Sequence, residues 1–132
     1  MNTIVLLVDS DLGFVFWLGQ SLAEMGYEVI PAKSVPDALT LIAELQLSVS
    51  LLILRDSLPG AADLIAILQY AQEDLKVILA VEDGDGPMRL NAAAQYRRPD
   101  RIDENAKTGW VHVIQRVLWD KGVVSVPAQG SL

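Results

Sequence analysis

Apolar residues come in short unbroken runs along this chain, and between the runs they recur at helical spacing. Residues 3–8 (Thr-Ile-Val-Leu-Leu-Val) form a continuous run with no polar alternation. That is the pattern of a strand covered on both faces, as in a parallel sheet. Residues 49–54 and 77–81 repeat it, and 27–30 and 94–97 predict two weaker strands. Val15, Leu18, Leu22 and Met25 keep the helical period, and Gly26 supplies a stop. Ser34, with Pro36 and Asp37 behind it, reads as an N-cap opening a second helix with Ala38, Leu41, Ile42 and Leu45 as its stripe. Leu64, Ile67, Leu68 and Ala71 mark a third helix. Trp110, Val113, Ile114, Val117 and Leu118 mark a last one, ending near Gly122. Strands alternating with helices predict an α/β fold with a parallel sheet and right-handed crossovers.

One stretch breaks the rhythm. Residues 82–93 open with Gly84, Gly86 and Pro87 and leave room for one or two helical turns, so a shortened or irregular fourth helix is expected. Residues 121–132 carry no helical stripe and read as a tail or linker behind a domain over 1–120.

Composition narrows the function classes. The 132 residues are enough for one domain with a proper core. The absence of cysteine excludes disulfides and thiolate metal sites, and a single histidine, His112, excludes a histidine cluster. A net charge of −7 repels phosphate backbones, so nucleic acid is not an expected partner. No apolar run approaches the roughly 20 residues of a membrane span. The apolar start is too short for a secretory leader, so a cytoplasmic protein is expected.

Several local signatures point one way. Leu7-Val8-Asp9-Ser10-Asp11, the Met25-Gly26-Tyr27-Glu28-Val29 junction, the Leu58-Pro59-Gly60 turn and Arg98-Pro99 together resemble a response-regulator receiver domain over about residues 3–120. The resemblance implies a flavodoxin-like, doubly wound five-stranded sheet in order 2-1-3-4-5. It also implies an acidic site at the carboxyl ends of the strands, where open α/β sheets place their ligands. In the family, two acids after the first strand help bind magnesium. An aspartate ending the third strand accepts the phosphoryl group, a Thr or Ser ends the fourth, and a Lys before proline follows the fifth.

Carried over position by position, that site is largely replaced. Asp9 keeps the first acid, while Ser10 stands for the second, Arg55 for the acceptor, Val81 for the hydroxyl residue and Arg98 for the lysine. The aromatic expected three residues before the lysine is Gln95, with Tyr96 one position off. Magnesium prefers octahedral oxygen ligands with one or two carboxylates, so Asp9 beside Arg55 is a poor cation site. An arginine has donors only and cannot attack phosphorus. The expectation is a degenerate, non-enzymatic receiver with no cofactor, a phosphorylation-independent interaction module of two-component-type signalling. The alternative is a magnesium-dependent phosphoreceiver using Asp56, which needs a one-residue bulge to bring that carboxylate inward.

Two readings stay open for Arg55: pairing with Asp9 in place of magnesium, or swinging to solvent at the strand end. Asp9 and Asp11 read as an acidic remnant in which one residue caps the first helix, rather than as a catalytic pair. His112 reads as an ordinary helix residue, and Asp83–Gly86 as a turn, since EF-hand spacing is missing. A flavin-type phosphate loop is disfavoured because Asp9 and Asp11 would repel phosphate. The first helix is apolar beyond one stripe. Phe14, Phe16 and Trp17, extended by Trp119, are therefore the candidate surface for a protein partner in a signalling pathway, a homodimer included.

Overall fold

A computed structural model of the chain describes residues 3–83 and 86–123, with the backbone alone for 120–123. Five strands form one parallel sheet: β1 (Ile4–Val8), β2 (Glu28–Ala32), β3 (Leu51–Arg55), β4 (Lys76–Val81) and β5 (Ala94–Arg97). Their order is β2-β1-β3-β4-β5, as the resemblance implies. The three unbroken apolar runs are the three central strands, which must bury both faces. The mixed runs are the edges. Pro31 sits in edge strand β2, where a missing N–H costs no ladder bond on the open side.

Side-chain alternation splits the core into two layers. Val5, Leu7, Leu51, Ile53 and Ile78 face helices α1 (Leu12–Glu24) and α4 (Glu104–Val123). Leu6, Val8, Leu52, Leu54 and Leu79 face α2 (Val35–Leu45) and α3 (Ala61–Ala71). The helix starts follow local chemistry. Asp11 accepts from the Phe14 N–H at 3.2 Å, and Ser34 accepts from the Asp37 N–H at 3.2 Å. Asp103 opens α4 by accepting from the Ala106 N–H at 2.9 Å. Gly60 ends the Leu-Pro-Gly turn at φ 85°, a left-handed geometry that a side chain would strain. No helix among the described residues is long and apolar enough to cross a membrane.

The expected shortened fourth helix is not found among the described residues. Among the described residues of 82–93, the crossover from β4 to β5 contains no helix. A helical nucleus is costly, and two glycines and a proline in the first six residues remove the propensity that would offset it. Leu90 and Ala92 from this segment pack onto the α2–α3 side of the core instead. The Gly86 N–H donates to the Asp83 carbonyl at 3.4 Å, while residues 84–85, on which the expected turn centres, lie outside the described residues. The last helix runs through Val123, close to the expected stop; the rest of the expected tail, 124–132, lies outside the described residues.

Candidate functional site

The carboxyl ends of β1 and β3 bring the sequence-predicted residues together. Asp9 continues the β1 ladder, its N–H donating to the Ala32 carbonyl at 3.1 Å. Its side chain shares the parity of Val5 and Leu7 and is 0% exposed. A buried carboxylate needs counter-charge and donors. The Asp11 N–H supplies one donor, at 2.9 Å from Oδ1. Arg98 supplies the nearer charge, with Nε 3.2 Å from Asp9 Oδ2. That contact is an ion pair without hydrogen-bond alignment, since neither atom has a hydrogen-bond partner. Arg98 Nη2 reaches on to Asp11 Oδ2 at 2.6 Å, and its guanidinium carbon lies 5.2 Å from the centre of the Phe14 ring.

Arg55 takes up neither of the two expected positions in full. It stays mostly buried, with Nη1 4.0 Å from Asp9 Oδ1, the outer limit of an ion pair. Its short contact is Nη2 to Glu82 Oε1, at 2.8 Å, on an exposed carboxylate at the start of the helix-free crossover. Arg98 is therefore the principal counter-charge of Asp9, and Arg55 a secondary one. In the sequence Arg98 stands only in the place of the family's lysine, and its reach to Asp9 and Asp11 is set by the fold. The one signal was Arg98-Pro99 standing where the family holds a lysine.

The remaining positions scatter. Ser10 is exposed, and Val81 is buried in the α2–α3 layer. Gln95 donates its side-chain amide to the Gly86 carbonyl. Tyr96 points to the opposite face and packs edge-on against Trp110, with ring centres 5.2 Å apart. Asp56 follows β3 and lines a depression of about 450 Å³ with Ser57, Glu82, Asp83 and Arg89. The β3–β4 register runs unbroken to Arg55↔Ala80, so the bulge that would exchange Asp56 for Arg55 is not formed.

The site is a poor fit for magnesium. The Asp9 oxygens already face Arg98, Arg55 and a backbone N–H, and two guanidinium groups stand where a divalent cation would have to approach. Among the described residues, no group of three His, Asp or Glu side chains is placed to hold a metal.

The expected partner surface is divided. Phe14 is 3% exposed and belongs to the core, edge-on to Trp110 at 5.5 Å and beneath Arg98, so it cannot be contact surface. Trp17 is partly buried beside it. Phe16 is 67% exposed and lines a groove of about 400 Å³ with Leu12, Val15, Pro31 and Leu41, between α1 and α2. Trp119, 68% exposed, lines a separate depression with His112, Gln115 and Arg116.

No family model and no curated protein matches the sequence. Solved structures do match the fold. A CheY-like receiver domain protein from Methanospirillum hungatei superposes with a TM-score of 0.72 at 20% identity, over 92% of this chain and 98% of that one. A chemotaxis response regulator of Vibrio cholerae gives 0.73 at 16% identity, over 89% and 99%. The non-phosphorylated HemR receiver domain from Leptospira biflexa gives 0.70 at 22% identity, over 98% and 100%. The chain therefore has the response-regulator receiver fold. At such identities the likeness reaches no further than the fold, and the chemistry must be argued from these residues.

Proposed function

We propose that this receiver-fold chain is a non-catalytic, phosphorylation-independent interaction module of a signalling protein, with a fixed charge cluster in place of the phosphoacceptor site. One observation carries the reading: the buried carboxylate of Asp9 lies between two arginines of the same chain, at 3.2 and 4.0 Å. In a phosphoreceiver that carboxylate is shared with a diffusible cation and answers to a phosphoryl group. Here its counter-charges are covalently tethered and need no ligand. The α1–α2 groove with Phe16 is the surface offered to a protein partner, since exposed aromatics beside an apolar groove favour interfaces over bulk surface.

The test is incubation with a small phosphodonor and magnesium, followed by intact-mass measurement. No phosphoryl adduct is expected. Stoichiometric labelling abolished by Asp56→Ala would overturn the reading in favour of the Asp56 phosphoreceiver.

A further inference from the structure

Two faces on opposite sides of the sheet are complementary. The first is the outer face of α3, where Ala62, Ala66, Ile67 and Tyr70 are exposed, Tyr70 at 93%. Residues 64–72 contain no charge, so a helix with an inward apolar stripe is apolar outward as well. Unpaired acids stand at both ends, Asp63 and Glu73, neither with an ion-pair partner among the described residues. An acid just past the carboxyl end of a helix also opposes the helix dipole, and a cation brought there from outside would relieve it.

The second is the outer face of α4. Trp119 lies over a shallow depression of about 430 Å³ with His112, Gln115 and Arg116. Arg116 has no ion-pair partner among the described residues. The charge asymmetry is wider than these residues. Residues 34–75, which include α2 and α3, hold six acids against one base, and residues 94–119 hold five bases against three acids; Arg97, Arg98 and Lys107 are paired within the chain, which leaves Arg101 and Arg116 as the bases there without an ion-pair partner among the described residues.

We infer that the α3 face is the docking site for the α4 face of a second copy of this chain, with Trp119 against Ile67 and Tyr70 and Arg116 against Glu73. Charge complementarity selects this occupant. A two-fold pairing of α3 with α3 would set acid against acid at both ends, whereas α4 brings a cation and the largest exposed aromatic, the residue types that dominate interface energetics. The two faces differ and lie on opposite layers, so the contact is head-to-tail and does not close at two copies. The inference goes beyond the proposed function and does not need the charge cluster: phosphoryl labelling reports on one, self-association on the other.

Sedimentation velocity on the full chain, across concentration and salt, tests it. The expected result is a mass that rises with concentration past the dimer. Association should weaken as NaCl goes from 50 to 500 mM, because complementary patches are screened; relief of net-charge repulsion would give the opposite sign. Trp119→Ser and Tyr70→Ser should each weaken association more than about tenfold. Mixed together, these variants should form a one-to-one dimer and nothing larger, since each keeps one intact face. Arg116→Glu should abolish association, and adding Glu73→Arg in the same chain should restore it. A chain monomeric to about 1 mM at low salt would overturn the inference, as would a closed dimer, association strengthened by salt, or a charge swap that fails to rescue.

Discussion

Asp9 and its two arginines permit a quantitative test of which cation holds the site. Truncating one partner of a buried ion pair costs about 3–5 kcal/mol when the other is left uncompensated. Arg98→Ala comes close to that case. It removes the contact at 3.2 Å, the 2.6 Å bond to Asp11 and the stacking on Phe14, leaving Asp9 with Arg55 at 4.0 Å as its one counter-charge and the Asp11 N–H as its donor. A loss of about 3 kcal/mol is expected from the pair, with about 0.5–1 kcal/mol more from the cation–π contact. Arg55→Ala leaves Asp9 with Arg98 and the Asp11 N–H, and removes a bond to Glu82 that is exposed and worth about 0–1 kcal/mol. About 1 kcal/mol is expected for it in total. With an m-value near 2 kcal/mol/M, urea midpoints should fall by roughly 1.5–2 M for Arg98→Ala and about 0.5 M for Arg55→Ala. Double-mutant cycles with Asp9→Asn should give a coupling of about 1.5–3 kcal/mol to Arg98 and under about 0.7 to Arg55. Equal or reversed couplings would refute the assignment of Arg98 as the principal counter-charge.

Other perturbations have equally definite signs. Gly109 lies in α4, where helix propensity alone predicts about 1 kcal/mol of stabilisation on substitution by alanine. A Cβ there would overlap Tyr96 Oη and lie 3.1 Å from Cζ, with the ring held against Trp110. Gly109→Ala should therefore destabilise by about 1–3 kcal/mol in thermal or urea unfolding, and Tyr96→Leu in the same chain should recover much of it. Lys107 Nζ bonds Glu24 Oε1 at 2.8 Å, tying α4 to α1. That bond, then the carboxylate charge, holds the lysine above its ordinary pKa. A raised folded-state value means the contribution is full below the unfolded value of about 10.4 and is lost as pH rises through the folded one. The stability difference between the native chain and Lys107→Met should accordingly be flat from pH 7 to 9 and shrink only in more alkaline solution. A difference already falling at pH 8 would contradict this.

What was legible in the sequence was the part determined by burial on both faces. The runs at 3–8, 49–54 and 77–81 hold the central strands, the first of them beginning at Ile4, and their lack of alternation follows from helices on each side. The Ser34 cap was legible because its chemistry is local. Phe14 was misread for a tertiary reason. An isolated surface helix buries one stripe, but α1 lies against both the sheet and α4, so its buried arc is wider and takes in Phe14 and part of Trp17. The grip of Arg98 on Asp11 spans 87 positions, and no periodicity reports such a pairing. The missing fourth helix was half visible: Gly84, Gly86 and Pro87 argue against one, while only the packing of Leu90 and Ala92 tells what covers the sheet in its place.

The helix-free crossover and the charge cluster also bear on each other. Glu82, its first residue, is the short-range partner of Arg55, while Arg98 holds Asp9 from the far end of β5, its N–H donating to the Val81 carbonyl at 2.8 Å. Arg98 thus reaches the site from just past the crossover, and Arg55, at the end of β3, is held by the residue that opens it. A two-state switch requires an input that binds one arrangement more tightly than the other, and about 5.5 kcal/mol of differential affinity moves an equilibrium from 1:99 to 99:1. Under the proposed function no diffusible cation or phosphoryl group supplies it, because the site already holds its own counter-charges. Any input that did switch this fold would have to act on the arginines through their other partners, Glu82 and Asp11. Of these, Glu82 is the accessible route, since it is exposed and begins a crossover with no helix among its described residues. Glu82→Gln should release Arg55 toward Asp9 rather than unfold the site. The coupling between Asp9 and Arg55 would then rise above its small value in the native chain, and no rise would show that Arg55 is positioned by the strand end alone.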